Sequence, residues 1–203
     1  MVSCGDSIAY GHSGDPYVYT IADKQNMSYD KVAVGTARLS TTSPARSITL
    51  QVTELTDDYD YILVEGGIND ALNGSTIGEL TSGFDATLDD TTVIGAVETI
   101  CKFLVEHYAS AKKLYILCHR TTNANYQPHA AQTTYFDAII TALKKWNIPY
   151  IDLREYPLCG YNAYYAQTYF DQSDFSQHGG LHPNTEGYAL GYIDQITAKM
   201  ESI

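Results

Sequence analysis

The feature that most constrains this chain is an alternation. Short runs rich in β-branched and aromatic residues are separated by longer segments of helical period, which is the pattern of a parallel α/β sheet. The clearest predicted strands are residues 61–64 (YILV), 113–118 (KLYILC) and 149–153 (PYIDL), with weaker ones at 2–4 and 31–34. Between the third and fourth strands, Ile94, Val97, Cys101, Leu104 and Tyr108 recur at spacings of three and four and so share one helix face. Tyr135, Ile139, Leu143 and Trp146 do the same before the fifth strand, and Leu190, Ile193, Ile196 and Met200 form the stripe of a last helix. Asp15-Pro16 and Ser43-Pro44 each predict a helix cap followed by proline in the first turn. The order is five β-α units, with strands of four to six residues and helices long enough to cover both sheet faces.

With 203 residues, 44% of them hydrophobic, the chain can bury one full core. No linker, low-complexity tract or internal repeat divides it, so a single domain over residues 1–203 is expected. The 24 acidic residues outnumber 12 basic ones, and the basic ones form no stripe in the sequence. Binding to nucleic acid or to an anionic membrane needs clustered Lys and Arg and is disfavoured. The acidic surface suits a neutral or cationic substrate better than a polyanion. No segment has the roughly 20 apolar residues of a membrane span, so no membrane insertion is expected. Met1 stands directly against the first strand without signal-peptide features, as in a domain trimmed from a longer secreted or phage protein, and localisation is not readable. Cys4, Cys101, Cys118 and Cys159 lie far apart without metal-ligand spacing, and are expected as unpaired thiols, three of them in or beside apolar runs.

In a sheet of this kind ligands bind beyond the carboxyl ends of the strands, where strand order reverses. Polar, glycine-rich sequences should therefore follow the strand ends. They do: Gly5-Asp6-Ser7 after the first, Gly35-Thr36-Ala37 after the second and Gly66-Gly67-Ile68-Asn69-Asp70 after the third. A serine hydroxyl becomes a useful nucleophile only with a base to take its proton and donors to hold the oxyanion it creates. Ser7, at a strand exit two residues after a glycine, can be that nucleophile, although Gly-Asp-Ser alone is equally a solvated turn. Asn69 can cap a helix or donate into the crevice, and His182, in Gly-Gly-Leu-His-Pro-Asn, can be a plain loop histidine or the base.

Taken together, Gly5-Asp6-Ser7, Gly35 about thirty residues on, Gly67-Ile68-Asn69-Asp70 and His182-Pro183-Asn184 resemble the successive blocks of the SGNH (GDSL-type) hydrolases, in order and over almost the whole chain. The resemblance implies a three-layer α/β/α sandwich of flavodoxin type with a five-stranded parallel sheet, and a serine esterase without cofactor or metal. It implies Ser7 as nucleophile, His182 as general base, and an oxyanion hole of the Ser7 and Gly35 N–H groups with the Asn69 side chain. Asp6 and Asp70 then serve to order their loops.

One position departs from the family pattern. The aspartate usually found three residues before the histidine, which holds the imidazole in its working tautomer, is Gly179 here. Three accounts stay open: Asp174 substitutes, a backbone carbonyl substitutes and leaves a Ser-His dyad, or activity is lost and a carbohydrate-binding or adhesion module remains. His178 invites a metal reading that Gly179 and Gly180 argue against, since they break any helix that would put it on one face with His182. His12, His107, His119 and His129 have no motif around them. A flavin- or nucleotide-binding role is disfavoured, because the first turn lacks a glycine-rich phosphate loop and carries Asp6 where phosphate would sit. Eighteen tyrosines, five of them between residues 156 and 169, and an acidic surface point to a small-acyl ester on carbohydrate, an O-acetylated glycan, as the substrate.

Overall fold

The computed structural model describes residues 1–121, 129–158, 163–171 and 180–203. Five strands form one sheet: β1 (Val2–Cys4), β2 (Asp30–Lys31), β3 (Tyr61–Glu65), β4 (Lys112–Leu117) and β5 (Tyr150–Asp152). Their order is β2-β1-β3-β4-β5 and every pairing is parallel. The chain leaves β1 toward one edge and returns through β3 toward the other, so the order reverses between β1 and β3, the strands whose exits carry Ser7 and Asn69. β1 and the last four residues of β3 and β4 are buried. That is the burial expected of parallel strands covered on both faces, and it explains why these runs read as almost continuously apolar.

Nine α-helices are described: α1 (Ser7–Tyr10), α2 (Tyr17–Lys24), α3 (Ile48–Thr53), α4 (Ile68–Asn73), α5 (Val93–His107), α6 (His129–Lys145), α7 (Ala163–Tyr169), α8 (Thr185–Tyr188) and α9 (Asp194–Glu201). A π-turn over Ala189–Ile193 joins the last two. α5 packs on both α3 and α6, and α4 packs on α6, while α2 packs on the π-turn. These groups are the outer layers of an α/β/α sandwich, as the sequence predicts. The predicted faces are the buried ones: Ile94, Val97, Cys101, Leu104 and Tyr108 around α5, and Tyr135, Ile139, Leu143 and Trp146 around α6. In the last stripe Ile193, Ile196 and Met200 are buried and Leu190 only partly. Cys4, Cys101 and Cys118 are buried free thiols, and Cys159 lies outside the described residues.

Three local expectations change. The second strand lies at Asp30–Lys31 rather than at 31–34, because pairing with β1 sets it: Asp30 N–H donates to Met1 O at 3.0 Å. The N–H groups of Val32 and Val34 still reach Ser3 O and Gly5 O, each at 3.0 Å. Strands are two to six residues long, since β1 ends at once in the turn that carries Ser7. Finally, Asp15 is not a cap. Pro16 flanks α2 without a side-chain bond, and Ser43-Pro44 opens a 3₁₀ turn (Pro44–Arg46) before Ser47 caps α3.

A buried ion pair fixes the long connection between α4 and α5. The fully buried Glu98 accepts from Lys145 Nζ at 2.5 Å, Trp146 Nε1 at 3.1 Å and Thr81 Oγ1 at 2.9 Å on one oxygen, and from Thr81 N–H at 3.0 Å on the other. Burial opposes the charge on Glu98, yet these donors hold its pKa below the usual value. Lys145 also donates to Thr81 O and Gly83 O, so removing Glu98 leaves a buried ammonium with neutral partners only. Glu98→Ala should destabilise the fold by about 3 kcal/mol or more. Pairing Glu98→Leu with Lys145→Met should cost clearly less than either change alone, as read from urea denaturation midpoints.

Candidate active site

Ser7 is placed by a turn that tolerates little substitution. A Cβ on Gly5 would lie 2.8 Å from Ala9 Cβ and 2.8 Å from Glu65 O, so only glycine lets β1 pass this close to β3. Gln51 of α3 ties down the same residue, accepting from Gly5 N–H at 2.7 Å and donating to Gly5 O at 3.1 Å. Asp6 caps α1 by accepting from Ile8 N–H at 2.9 Å. Ser7 is thus the first residue of a helix, and its own N–H has no intrahelical acceptor.

The second glycine-rich turn is held from the third. Gly67 adopts φ of +107°, and a Cβ there would strike Ile139 Cδ1 at 2.5 Å. It starts α4, whose second and third residues are Asn69 and Asp70. Asn69 Nδ2 donates to Ala37 O at 3.0 Å and to Asp6 Oδ2 at 3.2 Å, and Asp70 Oδ2 accepts from Leu39 N–H at 2.9 Å. The two residues therefore pin the 37–39 backbone and join it to the Ser7 turn. Within the pinned turn Thr36 sits at φ of +63°, a left-handed conformation costly for a β-branched residue. Arg46 Nη1 donates to its hydroxyl at 2.7 Å. Thr36, rather than the adjacent half-buried Gly35, lines the cavity beside Ser7.

His182 arrives from the far end of the chain, and its Nε2 lies 2.8 Å from Ser7 Oγ. Asn184 anchors this loop: its Oδ1 accepts from Gly187 N–H at 2.9 Å to cap α8, and its Nδ2 donates to Thr168 O at 2.9 Å. A second anchor is His119, buried at the end of β4. Its Nε2 is 3.0 Å from Gly180 O and its Nδ1 is 2.7 Å from the Tyr192 hydroxyl. Burial lowers the His119 pKa to about 4, so the ring is neutral, with Nε2–H donating to Gly180 and Nδ1 accepting from Tyr192. His12, exposed beyond α1, stacks beside His182 with ring centroids 4.6 Å apart. Sequence reasoning passed over both, since neither stands in a motif. The only signal for His119 is its place directly after a strand end. Asp174, His178 and Gly179 lie outside the described residues.

Ser7, Asn69 and His182 border a cavity of about 380 Å³ with Thr36, Arg38 and Arg46, and with Leu72 and Leu181 as its apolar lining. All three are nearly buried elsewhere on their surfaces, with exposures of 5 to 7%. Behind them Asp6 is fully enclosed, and burial raises its pKa from 3.8 to about 7 against the opposing pull of the Ile8 N–H. Glu65, buried at the end of β3, is raised well above its ordinary value by burial and then by Asp6. Among the described residues no group of three or more His, Cys, Asp and Glu side chains is arranged to hold a metal ion, and no helix is long and apolar enough to cross a membrane.

A parallel α/β/α sheet that brings a helix-capping serine turn, an Asn-bearing turn and a histidine loop to one crevice defines a serine hydrolase of SGNH type. Residues 3–190 match the model of the GDSL-like lipase/acylhydrolase family, and the chain belongs to that family, whose members are serine hydrolases acting on esters. No curated protein sequence matches it. Among solved structures, a protein from Lactobacillus plantarum shares 20% identity over 99% of this chain and 93% of that one, with a TM-score of 0.77. The psychrotrophic esterase EstA from a Pseudoalteromonas species shares 14% over 99% and 96%, with a TM-score of 0.59. A family two carbohydrate esterase from Clostridium thermocellum, solved with cellohexaose, shares 16% over 99% of this chain and 63% of its own, with a TM-score of 0.59. Identities this low establish the shared fold.

The raised pKa of Asp6 has a consequence for stability. Between its ordinary 3.8 and about 7 the folded chain holds a proton that the unfolded chain has released. Stability attributable to Asp6 is therefore full at the acid end of that window and is lost as pH rises through about 7. Asp6→Asn keeps the Ile8 cap and the side chain's size without the titration, and gives up the bond from Asn69. Urea denaturation at about pH 5 and about pH 8 should show a larger fall for wild type than for Asp6→Asn, and equal falls would contradict the assignment.

Proposed function

We propose that the protein is a serine esterase that removes small acyl groups, with Ser7 as nucleophile and His182 as general base. The observation that carries this reading is the 2.8 Å contact between Ser7 Oγ and His182 Nε2 at the edge of the cavity, a distance at which an imidazole can take the hydroxyl proton. Ser7 Oγ attacks the ester carbonyl carbon while its proton passes to Nε2. The tetrahedral intermediate collapses, the C–O bond to the leaving alcohol breaks, and His182 returns the proton to that oxygen. Water then cleaves the acyl-enzyme by the same steps, with His182 again as base.

Oxyanion donors in this reading are the Ser7 N–H, a backbone N–H of the Gly35-Thr36 turn and Asn69 Nδ2. Of the turn's two residues, Gly35 is the donor the family resemblance assigns, and Thr36 beside it borders the cavity. One hydrogen of Asn69 serves Ala37 O, and the other, in the longer 3.2 Å bond to Asp6, is the one an oxyanion would draw away. Small acyl esters suit a cavity of about 380 Å³. O-acetyl groups on carbohydrate are the substrate class we favour, supported by the tyrosine-rich segment before the histidine loop and by fold-level likeness to a carbohydrate esterase.

A fluorophosphonate probe should label wild type and fail to label Ser7→Ala. Hydrolysis of 4-nitrophenyl acetate should fall by about 10⁴-fold or more in Ser7→Ala and His182→Ala, and by about 10²- to 10³-fold in Asn69→Ala, mainly in kcat. Wild-type turnover no faster than that of Ser7→Ala would reject the reading.

A further inference from the structure

The cavity at Ser7 is cationic on a chain that is strongly anionic. The sequence holds four arginines against 24 carboxylates, and two of the four, Arg38 and Arg46, line this one cavity. Among the described residues no Asp or Glu lines it. Neither arginine forms an ion pair among the described residues: the five pairs belong to Lys24, Lys102, Lys145 and Arg154. Arg38 Nη2 donates to Asn73 Oδ1 at 3.1 Å and Arg46 Nη1 to Thr36 Oγ1 at 2.7 Å. Each acceptor is neutral and takes one of the five donors a guanidinium carries. Asp70 feels Arg38 electrostatically, but it is turned inward, with Oδ2 on the Leu39 N–H.

Two guanidinium groups with donors to spare, beside a nucleophile and without carboxylate partners among the described residues, match a planar or tetrahedral oxyanion. We infer that the ester cleaved at Ser7 carries an anionic group, a carboxylate or a sulfate-type oxyanion, which Arg38 and Arg46 bind while the carbonyl lies at Ser7. This rests on the esterase reading and adds to it the charge of the substrate. It also reverses what net charge implies. A total of −12 acts through solvent, where it is screened within about 8 Å at physiological ionic strength, whereas a ligand touching the half-buried Arg38 and the exposed Arg46 lies well within that distance. Local contacts therefore decide which ester binds, and the surrounding acidic surface sets only how fast it arrives.

The test compares esters alike except in charge. On the alcohol side these are 4-acetoxybenzoate, 4-acetoxybenzenesulfonate and the neutral 4-acetoxybenzamide. On the acyl side they are mono-4-nitrophenyl succinate and 4-nitrophenyl butyrate. Wild type should favour the anionic member of at least one set by about ten-fold or more in kcat/KM, chiefly through KM. The preference should shrink with added salt, and the sulfonate against the benzoate tells which oxyanion is accepted. Arg38→Gln and Arg46→Gln should each collapse the ratio toward one, and Arg→Lys should restore part of it. If Arg46 acts only by holding Thr36, its variants lower both members of a pair equally and leave the ratio intact, which overturns the inference for that residue. Benzoate should likewise inhibit about ten-fold more strongly than benzamide, a readout that needs no variant to fold. Turnover of both sets without a charge preference overturns this inference and leaves the esterase reading standing. Turnover of neither above Ser7→Ala removes both.

Discussion

The site depends on one buried carboxyl. Asp6 caps the helix that begins with Ser7, through the Ile8 N–H, and also accepts from Asn69 Nδ2, a side chain anchored in the first turn of α4. It is therefore the joint between the exits of β1 and β3, the two strands that flank the reversal of strand order. Enclosing a carboxylate this completely is unfavourable, and the raised pKa reports that cost. What the enclosure provides is geometry. Ser7 and Asn69, 62 positions apart in the chain, are fixed relative to one another by a single side chain rather than by two independent loops.

The histidine side is built differently. Its loop is held at two points on either side of the imidazole, Gly180 by His119 and Asn184 by the α7 end and its own helix cap. Because His119 is buried and neutral, its tie to Gly180 does not titrate in the range where an esterase works. Loop position and ring tautomer are separate problems. The anchors solve the first; the second is where the usual aspartate would act, three residues upstream at Gly179.

Much of this was legible in the sequence, for a physical reason that also explains what was missed. Ser7, Asn69 and His182 announce themselves because each sits in a short turn whose glycines and caps are demanded locally: Gly5 by the close approach of β3, Gly67 by its positive φ, Asn184 by its helix cap. The α5 and α6 faces were readable because burial imposes a period on adjacent residues. Thr36, Arg38, Arg46, His12 and His119 carry no such local signature. Thr36 takes a conformation that favours glycine without being one, and it is held there by contacts from α4 and from Arg46 that only the fold creates. The arginines, eight positions apart in the sequence, meet at one cavity because the 38–47 segment folds back on itself, its ends brought together by the Arg38–Ser47 bridge.

That closure also bears on how a strongly acidic protein could select an anion. A site with one free cation near the surface would compete poorly with 24 carboxylates around it, because a single exposed ion pair is worth little in water. Two guanidinium groups at the wall of one cavity, Arg38 half-buried and Arg46 exposed, can instead share a single anion. One hydrogen bond to a neutral acceptor already orients each group before the ligand arrives, and the fork of each matches an oxyanion edge. The acidic exterior then sets the rate of arrival, and an anion gains affinity where it can reach both arginines.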